Sequence, residues 1–330
     1  MEFLAEYGMF FAKLATSVAL LGTLVIGIFI LYMRTHSSGD ERLDIKNLNN
    51  KYEHMALALK SAMLPKKAFK QVVKQTKAEH KTRDQAPGTD ADDNRHVFVL
   101  NFKGDLRASQ VGSLREEISA VLEVANSDDE VFVRLESSGG TVHGYGLGAS
   151  QLQRIRDKGI KLTVAVDKVA ASGGYMMACV ADVVIAAPFA IIGSIGVIAQ
   201  IPNFNRLLKK HNIDYEQIVA GEHKRTLTLF GENTEQDREK LREEIEEAHR
   251  LFKTFVAEHR KEVDLSAIST GEHWYGQHAL ILKLVDKLQT SDDYLITASA
   301  NANLLEVSYS RHKPLIEKWF SSAAKLFSKA

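Results

Sequence analysis

The sequence predicts an α/β fold, repeated βαβ units on a largely parallel sheet, with an N-terminal transmembrane helix and a helical juxtamembrane segment in front of it. Three observations carry that prediction. Short apolar runs at 97–102, 131–135 and 162–166 alternate with stretches of helical periodicity at 110–124 and 146–156. Strands spaced in this way pair in parallel, because each return to the same edge needs a crossover helix. Residues 14–33 are twenty in a row without a charge, long enough to cross a ~30 Å hydrocarbon core as a helix. Between these two regions, residues 36–95 are too polar to belong to either.

Composition excludes more than it selects. The chain has 330 residues, 45% of them hydrophobic and 25% charged, an ordinary globular balance. Lys plus Arg equals Asp plus Glu at 42 each, so no net charge draws it to nucleic acid. The only cysteine, Cys179, rules out an intrachain disulfide or a cysteine zinc cluster, and its apolar neighbours read it as core.

Taken in order, the N-terminus carries Glu2 and Glu6 against one basic residue, Lys13, and no small-x-small site closes the apolar run. A retained anchor is expected rather than a cleaved signal peptide. Arg34, Arg42, Lys46 and Lys51 follow the span, and on local charge that side would stay in the cytoplasm. From 40 to 63, Leu43, Leu48, Met55 and Leu59 recur at mostly helical intervals, which predicts an amphipathic juxtamembrane helix. Residues 66–95 turn lysine-rich and then Pro-, Gly- and Asp-rich, the composition of a solvated, disordered linker. The expected layout is therefore an anchor over 1–35, a juxtamembrane helix and linker over 36–95, a main domain over 96–290 and a C-terminal extension over 291–330. Late in the chain, residues 233–259 read as a long amphipathic helix with Leu241, Ile245, His249, Phe252 and Phe255 along one side. Residues 280–288 read as a second core-facing helix, 304–309 as an edge strand, and 314–327 as a last amphipathic helix presenting Trp319, Phe320, Leu326 and Phe327.

The chemistry concentrates around Ser172. In Val169-Ala170-Ala171-Ser172-Gly173-Gly174-Tyr175 one hydroxyl stands among residues too small to crowd it, at a predicted strand-to-helix junction where free N–H groups can face a developing negative charge. One βα unit earlier, Glu136-Ser137-Ser138-Gly139-Gly140-Thr141 places two glycines where a strand gives way to a helix, a turn that can aim an amide into a cleft. Successive turns of this kind reach one rim of a parallel sheet. A serine hydroxyl needs a base. No histidine occurs from Gly173 to Lys210, and the first two afterwards are His211 and His223. A neutral lysine can serve instead, and Lys161, Lys168, Lys209, Lys210 and Lys224 are the candidates. Lys209 and Lys210 end a polar helix, and the chemistry leaves Lys168 and Lys224 both open.

Five ordered motifs resemble the signal peptide peptidase A family of serine peptidases, a branch of the ClpP/crotonase-like superfamily. They are Ser137-Ser138-Gly139-Gly140, Ala171-Ser172-Gly173-Gly174-Tyr175, Ile192-Gly193-Ser194-Ile195-Gly196-Val197, Ala220-Gly221-Glu222-His223-Lys224, and the 276–288 segment ending Leu284-Val285-Asp286-Lys287-Leu288. With its anchor and linker the chain is similar to the SohB subgroup. The resemblance implies a ClpP/crotonase-like fold with Ser172 as nucleophile, Lys224 as general base, Ser194 orienting the lysine, and Gly140 and Gly173 supplying the oxyanion-hole amides. It implies neither metal nor cofactor. It further implies a membrane-anchored endopeptidase acting on extended peptides such as signal-peptide remnants or membrane-proximal segments. Such an enzyme would be a homo-oligomer in the bacterial inner membrane, single-pass, with its catalytic domain in the periplasm. One departure stands out: the family often has proline before the glycine pair and this chain has Ser138, so a looser oxyanion turn is expected. Two other classes fit parts of the pattern, a crotonase-like acyl-CoA enzyme, which shares paired backbone amides, and a non-catalytic membrane scaffold.

Overall fold

The computed structural model describes residues 2–36, 41–85, 95–221, 224 and 226–311. The chain divides into two compact units, Met1–Leu43 with Tyr309–Ala330, and Asp44–Ser308. In the first, α1 (Glu2–His36) contains Gly8–Phe29, long and apolar enough to cross a membrane, with Leu20, Leu21, Leu24 and Val25 exposed. β1 (Glu41–Asn47) leads into the second unit, followed by α2 (Leu48–Met63), α3 (Lys66–Gln85), β2 (His96–Lys103), α4 (Val111–Val124), β3 (Glu130–Glu136), α5 (Val142–Asp157) and β4 (Lys161–Val166). Then come β5 (Val169–Ala171), α6 (Gly173–Ala178), β6 (Val183–Ala186), β7 (Ile191–Gly193), α7 (Asn205–Lys210), α8 (Glu235–His259) and α9 (Leu265–Ile268). β8 (His273–Tyr275), α10 (Gly276–Ile281), β9 (Lys287–Leu288), α11 (Ser291–Ala298) and β10 (Asn303–Arg311) complete it.

A seven-stranded sheet in the order β1-β10-β2-β3-β4-β6-β9 organises the domain, and β10, β2, β3, β4, β6 and β9 pair in parallel. Its strands are apolar on both faces because helices cover both. Phe98, Leu100, Val131, Val133 and Val164 face a core shared with Leu114 and Ile118 of α4 and Leu152 and Ile155 of α5. The alternate residues Val97, Val99, Phe132, Ala165 and Ile185 face a smaller core closed by Leu48 of α2 and Leu295 of α11. Period-two alternation thus splits one apolar run between two layers. The predicted elements at 97–166 all form, and α8 buries Phe252 and Val256 as its amphipathic spacing requires.

Four expectations need correction. The helix expected from residue 40 starts only at Leu48, because the Asn47 side chain accepts the Asn50 N–H as an N-cap and the residues before it form β1. The lysine-rich stretch expected to be linker is helical over Lys66–Gln85: its Lys, Gln, Ala and Glu residues are strong helix formers, and polarity measures solvation, not helicity. The expected helix over 280–288 stops at Ile281, and Lys283 adopts φ 62. Leu284 and Val285 are buried, and Lys287 and Leu288 pair with Ile185 and Ala186. Asp286, held by Arg260 at 2.8 Å and by the Val184 N–H at 2.7 Å, ties that turn to the sheet. The expected edge strand, β10, lies between β1 and β2, because the chain returns after α11 to the flank of β2. The expected helix at 314–327 and most of the 85–93 stretch lie outside the described residues.

Cys179 is buried, and burial pushes its thiol up to about 12. The folded protein should therefore resist iodoacetamide at pH 8 and react only in denaturant, since alkylation needs the thiolate. Mass spectrometry reads this directly, and rapid labelling under native conditions would show the thiol to be accessible.

Candidate active site

Ser172 owes its position to a second, small sheet of β5, β7 and β8. β4 ends at Val166, and β5 begins only at Val169 as part of this other sheet, so Ser172 does not sit directly at the rim of the large sheet as its sequence suggests. β5 pairs in parallel with β7, Ala171 opposite Gly193, so the next residue of each, Ser172 and Ser194, leaves neighbouring strands at the same level. Parallel strands run ~4.8 Å apart, which brings together two serines 22 positions apart in the chain. Both adopt φ 52, a conformation that costs a non-glycine residue about 1–3 kcal/mol and persists only where neighbours enforce it. The Ser172 N–H donates to the Gly193 carbonyl at 2.7 Å, and the Ser194 N–H donates to the Glu272 carbonyl at 2.6 Å.

The glycine turn after β3 is brought to the same place by one bridge. The Ser137 N–H donates to the Val169 carbonyl at 2.9 Å, and the Ala171 N–H donates to the Ser137 carbonyl at 3.0 Å. The next residues then run against Ser172. Gly139 has φ 89, and a Cβ there would lie 2.7 Å from the Ser172 Cβ. A Cβ on Gly140 would lie 2.1 Å from the Leu106 carbonyl oxygen, so neither position admits a side chain.

Ser138, Gly139, Gly140, Ser172, Gly173 and Ser194 line one groove of about 650 Å³, with Leu106, Val142, Ile198 and Phe252 as its apolar walls. Among the described residues, the N–H groups of Gly140 and Gly173 and the hydroxyls of Ser172 and Ser194 have no hydrogen-bond partner. An accessible hydroxyl and two unpaired amides in one apolar-walled groove are two of the parts acyl transfer needs, the third being a base.

The candidate bases are placed elsewhere. Lys168 pairs with Glu136 at 3.0 Å, and that hydrogen bond holds the Glu136 carboxyl below its usual value; both residues line a different cavity. Lys161 pairs with Glu130 at 3.3 Å at the start of β4, and Lys209 pairs with Glu232 at 2.9 Å. Lys210, His211 and Lys224 are exposed, and His223 lies outside the described residues. Lys224 follows Gly221, whose carbonyl accepts its N–H at 3.1 Å, and it is not among the residues lining the groove. The groove's one ionisable side chain among the described residues is His249 on α8, whose Nε2 is buried without a partner. Sequence reasoning placed His249 on the packed side of that helix, and only the approach of α8 to the two serines gives it any bearing on the chemistry. Nothing in its spacing marks Tyr145, and Ser137 enters only as part of the glycine-turn motif, with no sign of its contact with Tyr145.

Comparison with known proteins places the chain in a family. The model for "Peptidase family S49 N-terminal" matches residues 2–152, and that for "Peptidase family S49" matches residues 154–305. A Haemophilus influenzae protein named "Probable protease SohB" is 49% identical over 329 residues, 96% of this chain and 92% of that one. A protein of the same name from Buchnera aphidicola subsp. Schlechtendalia chinensis is 49% identical over 305 residues, 90% of this chain and 100% of that one. A solved membrane-bound stomatin-specific protease aligns at a TM-score of 0.42 with 13% identity, over 62% of this chain and 84% of that one.

Proposed function

The chain belongs to peptidase family S49, in the group of the SohB proteases, and is a serine peptidase; from that premise we propose a membrane-anchored endopeptidase with Ser172 as nucleophile and Lys224 as general base. The observation that carries the proposal is the groove itself, where Ser172 and Ser194 leave adjacent strands beside the unpaired amides of Gly140 and Gly173. In the first step the neutral Lys224 amine takes the Ser172 proton and the alkoxide attacks a peptide carbonyl carbon. The N–H groups of Gly140 and Gly173 hold the oxyanion, each such donor being worth ~10²-fold or more in rate. Collapse breaks the C–N bond, and the Lys224 ammonium returns its proton to the leaving amine. Water, deprotonated by the same lysine, then hydrolyses the acyl-enzyme ester. The Ser194 hydroxyl, beside Ser172, orients the amine.

Lys224 reaches this groove from a second copy of the chain. Its segment exposes Ile213, Tyr215, Ile218 and Val219, with Ile218 98% exposed, an apolar surface that a neighbouring protomer would cover. The substrate is an extended peptide, accommodated by backbone pairing, such as a signal-peptide remnant or membrane-proximal segment. The α1 anchor would hold the site near the bilayer of the bacterial inner membrane, with the catalytic domain in the periplasm. His249 supports a second reading, in which the base lies within the same chain.

The test is labelling of the full chain in detergent micelles with a fluorophosphonate, alongside Ser172→Ala, Lys224→Ala and an equimolar mixture of the two variants. Wild type should label, each variant alone should not, and the mixture should recover labelling by pairing an intact serine with an intact lysine. Labelling of Ser172→Ala at the wild-type rate would overturn the assignment of the nucleophile. A silent mixture would overturn delivery of the lysine by a second copy.

A further inference from the structure

Three backbone segments converge beneath the groove: the strap after β2 (Gly104, Asp105, Leu106), the Gly139-Gly140 turn after β3, and the first residue of α6, Gly173. Tyr145, on the first turn of α5 and 0% exposed, touches the strap and Gly173 directly and reaches the glycine turn through Ser137. Its hydroxyl lies 2.7 Å from the Asp105 carbonyl oxygen and 2.6 Å from Ser137 Oγ, and Ser137 Oγ lies 3.0 Å from the Gly139 N. The proton inventory allows one arrangement only. The carbonyl can only accept, so the phenol donates to it; Ser137 Oγ–H must then donate to the phenol oxygen, which leaves a lone pair on Ser137 Oγ for the Gly139 N–H. The result is a single directed chain from the glycine turn to the strap, each link polarising the next. Burial pushes the Tyr145 phenol above its ordinary value, so the donor proton is retained.

The ring does the rest. A Cβ on Gly173 would lie 2.4 Å from Tyr145 Cγ, and one on Gly104 would lie 2.3 Å from Tyr145 Oη, so both backbones rest directly on this side chain. Phe102 meets the ring edge-on at 6.4 Å, and the Thr141 N–H donates to the Leu106 carbonyl at 2.9 Å on the far side of the turn. We infer that Tyr145 is a positioning residue for the oxyanion hole, its hydroxyl locking the Gly139-Gly140 turn through Ser137 and its ring fixing the backbone of Gly173. Rigidity that a proline ring could provide at position 138 is supplied here by hydrogen bonds from beneath. The inference rests on the reading of Ser172 as nucleophile and of Gly140 and Gly173 as oxyanion donors.

The experiment compares full-length wild type, Tyr145→Phe, Ser137→Ala, the Tyr145→Phe/Ser137→Ala double variant, Ser137→Thr and Ser172→Ala in detergent micelles, using a short peptide ester and a peptide aldehyde that forms a tetrahedral adduct. Tyr145→Phe keeps the ring on Gly173 and removes only the hydroxyl, so kcat should fall about 10-fold or more while KM stays within about 2-fold. Aldehyde affinity should weaken by the same factor as kcat/KM, because both report the oxyanion. Ser137→Ala should match it, the double variant should be no worse than either single one, and Ser137→Thr should restore most of kcat. A lowered melting temperature with unchanged kcat would make the role merely structural and overturn the inference. Should Tyr145→Phe fail to fold, Ser137→Ala carries the test by the same criteria. An active Ser172→Ala would instead overturn the nucleophile. An inactive Ser172→Ala beside fully active Tyr145→Phe and Ser137→Ala would overturn the positioning role alone.

Discussion

Ser172→Ala should lower kcat by about 10⁵–10⁶-fold, the scale seen when a serine nucleophile is deleted from a hydrolase, and should leave the protein folded. The half-buried hydroxyl has no partner among the described residues, and the backbone bonds of Ser172 to Gly193 and Met176 do not involve it. Alanine bears the same strain at φ 52 that serine does, so the melting temperature should move by no more than ~2 °C. Ser172→Gly offers a sharper contrast: glycine adopts this φ freely, so the variant should be inactive yet more stable by about 1 kcal/mol. That outcome would show strain held at the site for function. Turnover within about 10²-fold of wild type by either folded variant would remove Ser172 from the mechanism.

Lys224→Arg should lose about 10³-fold or more in kcat/KM, although it preserves charge and most of the length, because arginine keeps its proton and cannot act as base. His249→Ala separates the alternatives, since His249 is the ionisable side chain that the groove does contain. An active Lys224→Arg beside a dead His249→Ala would transfer the base to α8.

The parallel core was legible because its strands are apolar on both faces and its helices keep a 3.6-residue period, as Leu114, Ile118 and Val121 do along α4. Local signals misled where a residue's own preference and its surroundings diverge. Lysine-rich α3 reads as solvent-exposed, as Lys66, Lys67, Lys70 and Lys74 are, and that says nothing against a helix. The apolar residues at 284 and 285 continue the pattern of α10 and are buried, but from a turn that Asp286 and Arg260 pin to the sheet. No local pattern encodes that pin, because its partners are 26 residues apart.

The site divides along the same line. Ser172 and the glycine pairs could be picked out from the sequence because their requirement is local: a small-residue neighbourhood for a nucleophile, and glycine where the backbone must turn or approach closely. The sequence by itself also determined the apolar N-terminal span, since twenty uncharged residues suffice for that reading. Only the tertiary structure decided that Ser172 and Ser194 are neighbours, through the parallel register of β5 and β7, and that Tyr145 packs against Gly173 and reaches the Gly139 turn through Ser137. It also decided that the groove holds His249 while Lys224 is exposed outside it. The reason is that strand pairing and helix packing join residues across long stretches of chain, and the free energy selecting those contacts comes from burial summed over the whole core, which no short stretch of sequence contains.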